Sequence, residues 1–164
     1  AEAAADHVAF EANLAAAGVR ERVRHLRSYS DHALTELDGG IDVLYVDGAH
    51  RYGPARADIR DWGERVVDGG TLLIHDSFSS IGVTAAIARE LVPGGRFRYV
   101  GRARSMAIYR ADLAAGWLPR LRNAGRQLLQ LPWFVRNLVL KLALTLGVGR
   151  LLGRLGRPVP EWPY

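Results

Sequence analysis

Apolar residues gather into two short blocks, Ile41-Asp42-Val43-Leu44-Tyr45-Val46 and Thr71-Leu72-Leu73-Ile74, each preceded by a glycine pair and followed by an acid or an imidazole. Runs of this length, rich in β-branched residues and bounded by turn formers, predict buried strands. Between them Pro54 stands where a first helical turn tolerates it. Ile59, Trp62 and Val66 share one face of a helix from Ala55 to Val67, which Gly69-Gly70 ends before a strand over 71–75.

Upstream, Val8, Phe10 and Leu14 among alanines predict a helix from Ala3 to Ala17, stopped by Gly18. A short strand is expected over Arg22 to Leu26, then the polar turn Ser28-Tyr29-Ser30 and a helix capped by Asp31 and running through Leu37. Downstream, residues 81–92 form a helix broken by Pro93-Gly94-Gly95. Phe97 to Val100 and Ser105 to Tyr109 read as a hairpin around Gly101-Arg102-Ala103-Arg104. Strand and helix in alternation, closed by an antiparallel hairpin, predict a doubly wound α/β architecture.

Beyond Gly116 the pattern changes. Leu128-Leu129-Gln130-Leu131-Pro132-Trp133-Phe134-Val135 opens a leucine-rich stretch reaching Leu152. Arg136, Lys141 and Arg150 interrupt it, so no uncharged run approaches the roughly 18 residues of a membrane span. On a helical projection Leu138, Val139, Leu142, Ala143 and Leu146 share one side, and Arg136, Asn137, Lys141 and Thr145 the other. Charge divides the chain at the same place: residues 1–112 hold 14 Lys+Arg against 16 Asp+Glu, whereas residues 113–164 hold 8 against Glu161 alone.

We therefore expect a body over 1–112 and a basic amphipathic helical tail over 113–164. Such a helix can lie on an anionic membrane surface. It can equally pack on the body's own sheet or against a second copy of the chain. Because the positive excess belongs to the tail and not to the body, no nucleic-acid partner is expected.

The absence of cysteine excludes disulfides, thiolate metal sites and a cysteine nucleophile, and fits a reducing compartment. Residues 1–17, alanine-rich with Glu2, Asp6 and Glu11, do not read as a secretory leader. The expected location is cytoplasmic, peripheral at the inner face of a membrane where the tail binds one. The chain opens on Ala1 and its only methionine is Met106, which leads us to expect a longer reading frame upstream.

The two strands deliver Asp47-Gly48-Ala49-His50 and His75-Asp76 to their carboxyl ends, where open α/β sheets bind ligands. Asp47, His50, His75 and Asp76 are thus the candidates for chemistry. A plainer reading stays open for the first turn, with Asp47 accepting backbone N–H bonds and Gly48 supplying a positive φ. His7, His25 and His32 show no ligand spacing.

The order strand, Asp47-Gly48-x-His50-x-Tyr52, Asp58, Trp62, Gly69-Gly70, strand, His75-Asp76 resembles the class I S-adenosylmethionine-dependent methyltransferases, and among them the methyltransferase family 24 group. Phe10, Asn13, Leu14 and Gly18 match the helix that precedes the third strand of that family, so the likeness covers residues 8–110. It implies a Rossmann-like class I methyltransferase sheet and S-adenosylmethionine as cofactor. That sheet is partial here, because the first two strands and their glycine-rich turn do not precede Asp47. In the family those strands separate the third from the fourth, which leaves Arg22 to Leu26 without a neighbour to pair with.

The resemblance also assigns roles. The loop after the third strand faces the adenine, which makes Ser28, Tyr29 and Ser30, with Asp47 and Gly48, the expected cofactor-binding residues. Metal-dependent O-methyltransferases related to the catechol enzymes hold a divalent cation on acids at these two strand ends. This implies Asp47 and Asp76 as ligands, with His75 either as a third or as the group that orients Asp76. The ion is Mg²⁺ on the oxygen donors, or Mn²⁺, Fe²⁺ or Zn²⁺ where His75 joins them. In the same enzymes a base lies three residues after the first acid, the place of His50. An imidazole, the side chain that changes charge nearest neutral pH, suits that work. Asp47 and His50 are the catalytic candidates, while Asp58 and Trp62 read as structural.

The leading expectation is O-methylation of a small-molecule, sugar or lipid-linked acceptor. The alternative is a non-catalytic methyltransferase-like fragment whose tail mediates membrane or protein association. A metal-dependent hydrolase ranks last, because no clustered HxxEH or HExxH motif is present.

Overall fold

The register of one parallel strand pair positions all the chemistry. The computed structural model describes residues 2–114, 116–156 and 158–162; Ala1, Ala115, Arg157, Pro163 and Tyr164 lie outside them. In it β1 (Ile41–Val46) runs parallel to β2 (Val66–Ile74), with Val43 opposite Thr71 and Val46 opposite Ile74. The strands end level, so Asp47 and His75-Asp76 emerge side by side. A hairpin of β3 (Phe97–Ala103) and β4 (Met106–Ala111) completes the sheet, with β4 antiparallel to β2 and β3 outermost. The result is an α/β fold on a four-stranded mixed sheet of order β1-β2-β4-β3, compatible with a Rossmann-like architecture.

Cross-strand partners share a face, and this face is where the core forms. Leu44, Leu72, Tyr109 and Tyr99 stand in one row across the four strands. Helix α3 (Tyr52–Ala57) and its continuation bring Ala55 and Ile59 against this row, and α4 (Ile81–Glu90) adds Val83, Ala86 and Ile87. Fully burying each large aliphatic side chain contributes about 1.5–3 kcal/mol. On the opposite face of β1, Val43 is 61% and Tyr45 51% exposed. Among the described residues ahead of Ile41, which include α1 (Glu2–Ala16) and α2 (Ser30–Ala33), only Ala33 is buried.

Several expected elements differ in the structure. Arg22 to Leu26 is not a strand: Arg20–Arg22 is a 3-10 turn, and the following residues lie outside the sheet, with Arg24 instead bonded to Glu36. Backbone adopts strand pairing only where a partner strand satisfies it. Asp31 does not cap its helix from outside but sits within α2, accepting the His32 N–H at 2.8 Å, and the chain continues as 3-10 turns over Leu34–Glu36.

The helix expected from Ala55 to Val67 starts earlier and stops at Arg65. It widens to π-type turns over Asp58–Trp62 and tightens to 3-10 over Gly63–Arg65. The Arg96 guanidinium donates to the carbonyls of Gly63, Glu64 and Val66, tying down this end and leaving Val66 to the sheet. Consequently Gly69-Gly70 lies inside β2, where the register shifts opposite Ile41 and Val43. Gly69 takes φ +73°, and a side chain on Gly70 would stand 2.9 Å from the Val67 carbonyl. The hairpin turn falls at Arg104-Ser105, while Gly101 marks a register shift within β3.

The tail forms α5 (Trp117–Leu128), α6 (Leu131–Thr145) and α7 (Val148–Arg154). Polar side chains attach it to the body. Asn123 donates to the Phe97 carbonyl at 2.8 Å and accepts the Tyr99 N–H at 2.6 Å. Gln127 donates to the Leu91 carbonyl and accepts from the Tyr109 hydroxyl. On α6, Asn137 donates to the Phe78 carbonyl at 3.0 Å and Lys141 to that of Ser79 at 2.9 Å. The side of α6 that carries these two polar groups is the side packed on the protein.

Candidate functional site

Asp47 and Asp76 differ sharply in setting, although both follow strands. The Asp47 carboxylate is half exposed, and Tyr45 donates a hydrogen bond to its Oδ2 at 3.1 Å. Partial desolvation, that hydrogen bond and the negative charges of Asp47 and Asp76 hold the Tyr45 hydroxyl above its ordinary pKa. Asp76 is buried and lies at φ +50°, in the left-handed region. Phe78 is also left-handed, at φ +55°.

Two such residues in one turn cost on the order of 1–3 kcal/mol each and persist only where neighbours fix them. Here the fixing bonds are visible. Ser77 donates to the Ile74 carbonyl at 2.8 Å, and the Ser79 and Ser80 N–H groups both reach the Asp76 carbonyl. The Ser79 hydroxyl meets Asp76 Oδ1 at 3.2 Å, and Asn137 of α6 holds the Phe78 carbonyl.

Four of the expected residues converge at the strand ends. His50 Nε2 lies 3.0 Å from Asp76 Oδ2. His75 Nδ1 lies 3.2 Å from Asp47 Oδ1 and 3.7 Å from Asp76 Oδ1. That ring nitrogen is shielded from solvent, and neither carboxylate is aligned to hydrogen-bond it. Ligand atoms of Asp47, His50 and His75 stand close enough together to share one cation.

The cofactor candidates separate. Ser30 donates to Asp58 at 2.6 Å and lines, with Asp47, Gly48, Asp58 and Trp62, a cleft of about 390 Å³. Ser28 and Tyr29 line a different, wider cleft beside α1, with Phe10, His25 and His32. Gly48 does not have a positive φ; a Cβ there would lie 2.9 Å from Asp58 Oδ2, so the Asp58 carboxylate would have to shift.

Asp58 and Trp62, read from the sequence as structural, therefore line the cleft; their spacing of one helical turn was the available signal. Two further residues carry no motif. Ser80 donates to the His50 carbonyl at 3.3 Å, and a side chain on Gly82 would run into that same carbonyl. The start of α4 thereby buttresses the loop that carries His50.

Residues 2–77, from α1 through the His75-Asp76-Ser77 turn, match the model of the Methyltransf_24 family, a methyltransferase domain. No curated protein matches the chain significantly. The match takes in β1, β2 and the four convergent side chains, and makes residues 2–77 similar to a class I methyltransferase-like domain.

Proposed function

We propose that this site transfers the methyl group of S-adenosylmethionine to a hydroxyl of a small-molecule, sugar or lipid-linked acceptor. The observation that carries the reading is the contact between exposed His50 and buried Asp76 at 3.0 Å, beside the cleft of Asp47, Gly48 and Asp58. The cleft's roughly 390 Å³ falls within the range of about 300–1,000 Å³ usual for small-molecule sites.

Bound S-adenosylmethionine supplies an electrophilic methyl carbon on a sulfonium. The Asp76 carboxylate 3.0 Å from His50 Nε2 favours the tautomer protonated there, which puts the lone pair on Nδ1. His50 Nδ1 would take the proton that the acceptor hydroxyl gives up when its oxygen is methylated. Ser30, Asp47, Gly48 and Asp58 bind the cofactor side of the cleft. Little acid–base power is needed; most of the acceleration comes from in-line positioning.

The same reading gives Asp47, His75 and Asp76 a divalent cation. Donor atoms 3.2 and 3.7 Å apart suit ligands of one ion about 2.1 Å from each, and His75 Nδ1 lacks any other partner. A donor set of imidazole and carboxylate favours Mn²⁺, Fe²⁺ or Zn²⁺ over Mg²⁺. Such an ion would lower the pKa of an acceptor hydroxyl.

Calorimetry with S-adenosylhomocysteine tests the reading. Saturable binding that is weakened by Asp58→Ala and retained by His50→Ala is the expected result. Absence of binding would overturn it and leave the non-catalytic alternative.

A further inference from the structure

After residue 112 the usual distribution of side chains is inverted. Helices α5 and α6 bury the amides of Asn123, Gln127 and Asn137 and, while Trp133 and Phe134 pack on the core, turn many aliphatic groups and Trp117 to solvent. On α6, Val135, Val139, Leu142 and Leu146 fall on one stripe and are 56–73% exposed. Trp117, Leu121 and Leu128 repeat the pattern on α5 at 50–72%, and Leu151 and Leu155 continue it at 57% and 65%. Apolar surface displayed in this way marks a docking face.

Charge identifies the occupant. Arg122, Arg150 and Arg154 are exposed on the same helices, whereas Arg126 donates to the Val100 carbonyl and Arg120 lies against Gly95, and Glu161 is the one acidic residue after residue 112. A second copy laid symmetrically on this face would set guanidinium groups against guanidinium groups. Anionic headgroups would neutralise them, and arginine stems can lie along the apolar surface with their charges in the headgroup layer. Trp117, 72% exposed, is of the residue type that anchors proteins at a bilayer interface.

We propose that the outward face of α5, α6 and α7 docks on an anionic phospholipid surface. The aliphatic stripe enters the acyl boundary and the arginines meet the headgroups. The mode is superficial. No single described helix is long and apolar enough to cross a bilayer, and residues 117–145 and 148–154 pass that test only as a pair bent by 68°. Asn137 and Lys141 meanwhile keep the inner side of α6 on the carbonyls of Phe78 and Ser79, next to the turn that carries Asp76. This inference stands apart from methyl transfer, because its readout is partition and not turnover.

Co-sedimentation of the full chain with phosphatidylcholine vesicles, with and without phosphatidylglycerol, tests it. Binding should be roughly tenfold or more tighter with phosphatidylglycerol, and should weaken as salt rises. Val139→Asp combined with Leu142→Asp should reduce partition about a hundredfold at unchanged melting temperature, since both side chains already face solvent. Arg150→Gln with Arg154→Gln should reduce it roughly thirtyfold, or about 1 kcal/mol per arginine. Equal partition of the aspartate variant, or none by the parent chain at low salt, overturns the proposal. A dimer in light scattering that the aspartate pair disperses, with no vesicle binding, would assign the face to a second copy and overturn it as well.

Discussion

His50 and Asp76 come from the ends of different strands, and His50 Nε2 stands 3.0 Å from Asp76 Oδ2. The imidazole is 56% exposed and the carboxylate 10%, so the acid is the fixed partner and the ring the one that reaches outward. Because β1 and β2 end level, this pairing needs no long loop, only the turn from Asp47 to His50.

Removing either partner should therefore separate turnover from binding. His50→Ala is expected to lower methyl transfer by roughly 10²–10⁴-fold, the usual contribution of a general base. Asp76→Asn keeps a residue that tolerates positive φ and should lower turnover while preserving the fold. S-adenosylhomocysteine affinity, measured by calorimetry, should change little in both. Unaltered turnover in His50→Ala would remove the base assignment.

Gly82 offers a test of positioning alone. It touches no expected ligand, but a methyl group there would meet the His50 carbonyl and lie 2.7 Å from the Tyr52 nitrogen. Gly82→Ala should displace the His50 loop, and a misplacement of about 1 Å can cost on the order of 10² in rate. We expect kcat to fall with KM nearly constant. A parallel rise in KM would instead mean that the loop binds the acceptor.

The cation reading has a readout independent of turnover. Mn²⁺ binding, followed by the loss of its free electron-spin resonance signal, should be saturable in the parent chain. In His75→Ala it should weaken roughly tenfold or more, because one of three protein ligands is gone. Equal affinity in the two proteins would take His75 out of the ligand set.

How much of this was legible beforehand depended on range. The strands over Ile41–Val46 and Thr71–Ile74 and the hairpin announce themselves by local pattern, and their carboxyl ends locate Asp47, His50, His75 and Asp76. Effects that hinge on distant partners stayed hidden. Arg96 trims the helix before Val66 from 30 residues away, and the lack of a sheet partner leaves Arg22 to Leu26 unpaired. Gly82 and Ser80 look like ordinary helix-start residues until the His50 carbonyl is placed beside them. On α6 the exposed residues take in Arg136 and Thr145 from the projected polar side as well as Val139, Leu142 and Leu146 from the apolar one, and periodicity alone does not tell which side faces the protein.

That orientation predicts unequal effects from the two sides of α6. Asn137→Ala leaves the buried Phe78 carbonyl without its donor and should cost about 1–3 kcal/mol in urea unfolding. It should also lower turnover, because the left-handed turn at Asp76–Phe78 loses one of its restraints. Val139→Ala, at an exposed position, should stay within about 0.5 kcal/mol of the parent. The reverse ranking would mean that α6 packs by its apolar stripe.

Tyrosines beneath α5 set an alkaline limit on stability. Burial, with a smaller effect of nearby Tyr99, pushes the Tyr109 hydroxyl well above its usual pKa, and burial also raises Tyr99. Both groups are raised, so their contribution is complete below the unfolded value of about 10 and is lost as pH climbs toward the folded values. Above about pH 10 the unfolded chain releases protons that the folded one keeps. Stability should then fall by about 1.4 kcal/mol per pH unit for each tyrosine. Tyr109→Phe should remove its share of that slope. At neutral pH it should cost about 1–3 kcal/mol, since the Gln127 oxygen loses the hydroxyl that it accepts at 3.2 Å. Urea titrations at stepped pH measure both effects, and a parental slope that survives Tyr109→Phe would show that Tyr109 ionises as freely in the folded protein as in the unfolded chain.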